Sequence, residues 1–183
     1  MKVSKAQVAE NRESILHQAG RLFRQKGFDG VAVAELMGAA GLTNGAFYGH
    51  FASKDDLAAE VCKRVLISDG DPWARLSGED LRQFIDDYLS PRHLRHREAG
   101  CLYAALAGDV VRQPVTVRSA FTQNLRTRLE ALGRVVTGRS REVRRQKALA
   151  TMATMVGALT LARAVCDPEL SAELLDAARA TLA

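Results

Sequence analysis

Apolar residues recur at three- and four-residue intervals along most of the chain, and glycine or proline stands where the runs stop. Leu81, Phe84, Ile85, Tyr88 and Leu89 match the i, i+3, i+4, i+7, i+8 template fully, and Ser90-Pro91 ends the run. Phe121, Leu125, Leu129, Leu132 and Val136 repeat in the same way before Gly138. Val8, Ile15, Ala19, Leu22 and Phe23 form one stripe between Gln7 and Lys26, with Gly27 as the stop. A long run covers Arg141 to Val165. Asp167-Pro168 interrupts it, and Leu170, Leu174, Leu175, Ala178 and Leu182 give a last helix one apolar side. No stretch alternates with the period of two that a half-buried strand requires. The pattern predicts about nine helices and an all-α fold. A content of 4 prolines in 183 residues and 47% hydrophobic residues fits helices around a packed core rather than disorder.

The segment from Val33 to Leu57 carries the most chemical information. Val33 to Ala40 reads as a helix of two turns, with Gly41 free to adopt the left-handed conformation after it. Thr43 then stands where it caps a third helix, and Gly41, Leu42 and Thr43 make a short glycine-containing turn of the kind that joins helices in DNA-binding motifs. Ser53-Lys54-Asp55-Asp56 is a variant capping box opening the next helix. A long helix, a short one, a glycine turn and a third helix form a helix-turn-helix, which seats its last helix in the DNA major groove. Thr43 and Asn44 offer hydrogen-bonding groups to base edges, and Gly45 and Ala46 are small enough for close approach. Tyr48, His50 and Lys54 supply a hydroxyl, an imidazole and an ammonium suited to phosphate oxygens, so they position rather than read.

Gly27-Phe28-Asp29, the Ala40-Gly41-Leu42-Thr43 turn, Gly45-Ala46-Phe47-Tyr48-Gly49-His50-Phe51 and Ser53-Lys54 together resemble the TetR family of repressors over roughly Ile15 to Leu57. The resemblance implies a three-helix DNA-binding head over residues 1–53 and a helical ligand-binding and dimerisation body over residues 54–183. It implies double-stranded DNA as partner, a homodimer through the two C-terminal helices, and an unidentified small-molecule effector. It places Thr43 and Asn44 on bases or backbone and Tyr48, His50 and Lys54 on phosphates, with Phe47 and Phe51 in the core. The sequence departs from the family at Ala32 and Val33, where Ser or Thr is frequent, and at Gly49, where an aromatic is frequent; a helix cap and a phosphate contact are expected to be missing. At the other end, Met152, Val156, Leu159 and Arg163, with Leu170, Leu174 and Ala178, offer faces for close helix pairing between subunits.

The same resemblance suggests a pocket for a small apolar effector lined by Trp73, Phe84, Tyr88, Tyr103, Phe121 and Met152, with Leu106 and Met155 beside them; each serves equally well as core. Trp73 lies in a polar loop, Asp69 to Gly78, and Ser77 is placed to cap the following helix. Cys101 is expected to open a helix after Arg95 and Arg97, which makes it a candidate sensor thiol of lowered pKa, while Cys62 and Cys166 are expected in inert apolar surroundings. His93 and His96 share a helical face near Cys101, but the neighbouring arginines oppose a metal, so neither metal nor cofactor is expected. Six cations against Glu142 between Arg134 and Lys147 read as a solvated loop and helix start. A net charge of +5 suits an anionic partner and also serves solubility. The absence of a signal-like or membrane-length apolar stretch predicts a cytoplasmic protein without membrane contact. No nucleophile–base spacing, metal motif or nucleotide loop points to an enzyme. Two rival readings remain: a DNA-binding or architectural protein without effector, and a thiol-based sensor acting through Cys101.

Overall fold

The computed structural model describes residues 4–64, 73, 76–78 and 80–182. Among them lie nine α-helices, one 3-10 helix and no strand. The helices are α1 (Lys5–Lys26), α2 (Val33–Ala39), α3 (Lys54–Arg64), α4 (Leu81–Tyr88), α5 (Pro91–Arg95), α6 (Leu102–Val110), α7 (Val115–Val135), α8 (Arg141–Ala164) and α9 (Pro168–Thr181), with the 3-10 helix Asn44–Gly49 between α2 and α3. The protein is all-helical, as the periodicity predicts. The expected loop from Asp69 to Gly78 falls largely outside the described residues. Among those described, no helix is long and apolar enough to cross a membrane.

Local chemistry sets most helix boundaries. Ser4, Ser90 and Ser140 each accept a hydrogen bond from the backbone N–H three residues on, at 3.1, 3.2 and 3.2 Å. Asp167 caps α9 by accepting from Glu169 and Leu170, and Pro168 takes the first helical position, where its missing N–H costs nothing. Gly27 ends α1 at φ 77°, and an added Cβ there would also collide with the Asp109 carboxylate. Ser77 acts one turn earlier than expected. Its Oγ accepts from Asp80 N, and Asp80 occupies the cap position of α4.

Two apolar clusters hold the molecule together. The first joins Ile15, Ala19 and Phe23 of α1, Leu36 and Met37 of α2, Phe47 and Phe51 around the 3-10 helix, and Leu57, Val61 and Cys62 of α3, and it runs on to Leu102, Leu106 and Val117. The second joins Trp73, Ile85, Tyr88 and Leu89 to Leu129, Leu132, Met152, Met155, Leu159 and Leu175. Helix α3 therefore belongs to the core of the N-terminal unit while lying along α7. Asn124 of α7, fully buried, fixes that contact: it donates to the Cys62 carbonyl at 2.7 Å and accepts from the Tyr103 hydroxyl.

Candidate functional site

The α2–turn–3-10 segment displays polar groups on a buried apolar base. Gly41 takes the left-handed conformation at φ 73°, which turns the chain sharply after α2. Phe47 and Phe51 are both buried, with ring centroids 5.9 Å apart, and the Arg12 guanidinium lies 4.8 Å over the Phe51 ring. Burial of two phenylalanines contributes on the order of 1.5–3 kcal/mol each and pins the short element in place. Between them Tyr48 is 74% exposed, standing edge-on to Phe47. Thr43, Asn44 and Gly45 are exposed beside it, and Ala46, His50 and Lys54 are half-buried. An added Cβ on Gly45 would meet nothing within 4 Å, so the fold itself does not require glycine there.

Two details depart from the sequence expectation. The element after the turn is a 3-10 helix rather than an α-helix, and Thr43 occupies its cap position without any side-chain capping bond. Six residues with glycines at Gly45 and Gly49 are too short and too entropically costly to propagate an α-helix. Ala32, as expected, leaves the start of α2 without a side-chain cap. The Ser53–Asp56 box forms: Asp56 N donates to Ser53 Oγ at 3.0 Å, and the Asp56 carboxylate accepts from Ala52 N at 3.2 Å. It brings Lys54 to the first turn of α3. His50 Nδ1 is buried without a hydrogen-bond partner.

A cavity of about 610 Å³ opens between α1 and α3 on one side and α4, α5 and the start of α6 on the other. This volume lies within the range of small-molecule sites. Of the residues expected there, Trp73, Phe84, Tyr88 and Tyr103 line it. Phe121 and Met152 do not: Phe121 packs edge-on against Tyr103 at 5.3 Å, and Met152 is buried in the second core with Met155, while Leu106 is buried in the first. Helical periodicity marks a side chain as inward-facing without separating cavity wall from core. Sequence reasoning also missed the polar half of the wall, His17, Arg24 and Arg64. His17 and Arg24 sit on α1, a helix assigned to the DNA-binding head, and Arg64 ends α3, so nothing in their local pattern tied them to a pocket.

Cys101 caps α6 and faces this cavity, but its chemistry reverses the expectation. Burial pushes its thiol up, and this outweighs the lowering from Tyr88, from the N–H groups of Ala104 and Tyr103, and from Arg163. The expected helix-terminus effect is present and is the smaller influence. Cys62 is buried and raised to about 12, in keeping with an inert thiol, whereas Cys166 is exposed just after α8, contrary to its expected apolar surroundings. Both ring nitrogens of His93 are engaged by backbone: Nδ1 lies 2.7 Å from the Tyr88 carbonyl, and Nε2 accepts from Cys101 N at 2.9 Å. Those contacts fix the neutral Nδ1–H tautomer and leave no lone pair for a metal. Among the described residues no three His, Cys, Asp or Glu side chains stand together as a metal site. The basic run at the start of α8 turns back on the loop before it, Arg144 donating to the Gly138 carbonyl and Lys147 to Thr137 Oγ1.

The C-terminal helices leave an uncharged face. Leu149, Ala153, Thr160, Leu161 and Ala164 of α8 are exposed, Leu161 to 54%, and Leu170 of α9 is exposed nearby in sequence. Met152, Leu159 and Ala178, expected on a subunit contact, are instead buried within the chain's own second core. A helix pair covering the body spends one stripe on its own core, and the residues one step around the helix are left for a partner.

A core-anchored helix-turn-helix carried by an all-helical body with an internal cavity defines the class of this protein. The sequence model described as "Bacterial regulatory proteins, tetR family" matches residues 15–61. The HTH-type transcriptional regulator AcrR of Shigella flexneri is 43% identical over 58 residues, covering 32% of this chain and 27% of that protein. The HTH-type transcriptional repressor BepR of Brucella suis biovar 1 is 37% identical over 65 residues, covering 36% of this chain and 31% of that protein. These matches span less than a third of either relative. A TetR-family transcriptional regulator from Agrobacterium tumefaciens shares the fold with a TM-score of 0.76 at 22% identity, over 95% of this chain and 98% of that one. A TetR transcriptional regulator from Legionella pneumophila does so with a TM-score of 0.74 at 24% identity, over 100% and 97%. Residues 15–61 thus carry the sequence of the TetR-family DNA-binding region, and the chain as a whole has the fold of TetR-family regulators.

Proposed function

We propose that this chain is a non-enzymatic cytoplasmic transcription regulator, a repressor, that binds palindromic operator DNA as a homodimer and leaves it when a small molecule occupies the cavity. The observation that carries the DNA reading is the exposure of Tyr48 between the buried Phe47 and Phe51, with Thr43, Asn44 and Gly45 beside it. In this reading Thr43 and Asn44 read base edges, Gly45 and Ala46 permit approach, and Tyr48, His50 and Lys54 hold phosphates. The uncharged stripe of α8, continued by Leu170, forms the subunit contact. Two heads then lie about one DNA turn apart, roughly 34–36 Å.

The working division is a head over residues 1–53 and a body over residues 54–183, with α3 as the mechanical link. It shares the head's core and lies along α7, so a ligand that shifts α3 tilts the head. An effector acts only through its differential affinity for the two head spacings. The cavity favours this over an effector-free architectural protein. The raised Cys101 thiol disfavours the oxidant-sensor reading, because the thiolate is the reactive form.

The test is selection of random duplex DNA by the purified protein, with the salt dependence of binding measured on the enriched site. An enriched inverted repeat supports the operator-reading dimer. Binding without any enriched sequence refutes it.

A further inference from the structure

The cavity wall has two chemically distinct parts. One is a run of aromatic rings: Trp73 meets Phe84 edge-on at 4.6 Å, and Phe84 lies 6.3 Å from Tyr88. The other is a set of hydrogen-bond donors whose capacity is only partly used. Tyr88 is only 6% exposed, and its buried hydroxyl has the weakly accepting Cys101 sulfur as its neighbour and no oxygen or nitrogen partner. Arg163, directly behind Gly100 and His93 in the wall, uses Nη2 and Nε on the carbonyls of His93 and Leu94, and its Nη1 is buried and unpartnered. Arg24 spends only Nε, which donates to the Glu98 carbonyl at 2.8 Å. Its Nη1 and Nη2 lie over Gly20, another wall residue, and form no hydrogen bond or ion pair with the described residues.

These groups meet around one point. The Cys101 sulfur interacts electrostatically with Arg24, Tyr88 and Arg163 alike. Burial keeps Cys101 a neutral thiol, and the carboxylate that acts on both Arg24 and Arg163 is that of Glu98, which does not line the cavity. Arg64 is already paired with Glu13. Asp87 is the one carboxylate among the described wall residues; it is exposed and accepts from Gln83. A buried hydroxyl facing only a thiol, a buried guanidinium N–H without a partner and a half-buried arginine fork that makes no hydrogen bond leave donor capacity that an oxyanion of the right shape would satisfy.

We infer that the effector is an aromatic carboxylic acid, its ring against Trp73 and Phe84 and its carboxylate on Arg24 and the Tyr88 hydroxyl. This rests on the reading of the cavity as the effector site and specifies the chemistry it selects. Arg24 belongs to α1, so a carboxylate that draws its fork toward the cavity competes with the Glu98 carbonyl and loosens one tie between the DNA-binding unit and the α5–α6 loop.

Isothermal titration of the full-length protein with 2-naphthoate, its neutral isostere 2-naphthalenemethanol and the cationic 2-naphthylmethylammonium tests the inference. The expected order is acid tightest, by about tenfold or more over the alcohol, as charge-assisted bonds to a half-buried fork provide. Arg24→Gln should bring the acid down to the alcohol's affinity and leave the alcohol unchanged. Tyr88→Phe should weaken the acid several-fold and leave the alcohol unchanged, which keeps the inference testable if Arg24→Gln fails to fold. Equal or tighter binding of the alcohol or the ammonium, no saturable binding of any probe, or an acid preference unaffected in both variants overturns it. An alcohol or amine that binds and releases operator would overturn the carboxylate assignment alone. Failure to select an operator would overturn the regulator reading alone, since calorimetry requires no DNA.

Discussion

Ala32→Ser should stabilise the protein by restoring a missing cap. Ala32 is exposed at the N-cap of α2 with φ −81° and ψ 151°, and no side chain accepts from the first-turn N–H groups. Three serine caps elsewhere in the chain share this extended geometry: Ser4 at −68° and 157°, Ser90 at −86° and 155°, Ser140 at −130° and 169°. Each accepts from the N–H three residues on at 3.1–3.2 Å. A serine at position 32 therefore reaches Glu35 N without backbone adjustment. The reciprocal half of a capping box adds little, because the Glu35 carboxylate is already held by Lys26 Nζ at 2.5 Å. One cap is worth about 1 kcal/mol, with a range of roughly 0.5–2. For a chain of this size that raises Tm by about 2–4 °C. Scanning calorimetry and urea melts of wild type, Ala32→Ser and Ala32→Val, at one protein concentration and without DNA, measure it. The valine offers no acceptor and should gain nothing. A serine variant no more stable than the valine variant would refute the capping argument.

Tyr48→Phe and Lys54→Ala should weaken binding to all duplexes alike, Lys54→Ala reducing the salt slope by about 1, whereas Asn44→Ala should change preference among operators; uniform losses for all three on every sequence contradict those roles. Asn124→Leu should cost about 1–3 kcal/mol in urea melts by stripping the donor from the Cys62 carbonyl, and an unchanged midpoint would show the bond to be dispensable. The imidazole of His93 has its pKa lowered, by burial first and by Arg163, with the Tyr88 carbonyl acting the other way. Below about pH 6.5 the unfolded chain then binds more protons at this position, so stability falls as pH drops through that value toward the lower folded one. His93→Gln should shrink the difference between melts at pH 7.5 and pH 5.5, and an identical difference would rule the contribution out. Leu161→Glu should convert a dimer to monomers in sedimentation velocity, since a carboxylate in a closed apolar contact is strongly unfavourable; an unchanged mass would move the contact elsewhere.

Legibility tracked the range of the interactions involved. Cap and stop signals act within four residues, so Gly27, Gly41, Ser53 and Asp167 could be placed from the sequence, and so could the buried Phe47 and Phe51. The 3-10 form of Asn44–Gly49 was not legible, because it results from a weak local helix former clamped by tertiary burial at both rings. The cavity was legible only in part. Trp73, Phe84, Tyr88 and Tyr103 have sizes that suit a wall, but Phe121 and Met152 have the same character and turn into packed cores. Arg24 shows the opposite error. On a helical wheel it is one more surface cation near the end of α1, and its significance depends on a carbonyl 74 residues away and on a hydroxyl and a second guanidinium that no local pattern links to it. Cys101 depends on the same long-range arrangement. Its local sequence, a helix start among arginines, predicts a lowered pKa, yet the closure of the body around it raises the thiol. The donors gathered around this neutral sulfur are therefore a property of the assembled fold, and the inferred preference for an anion rests on them.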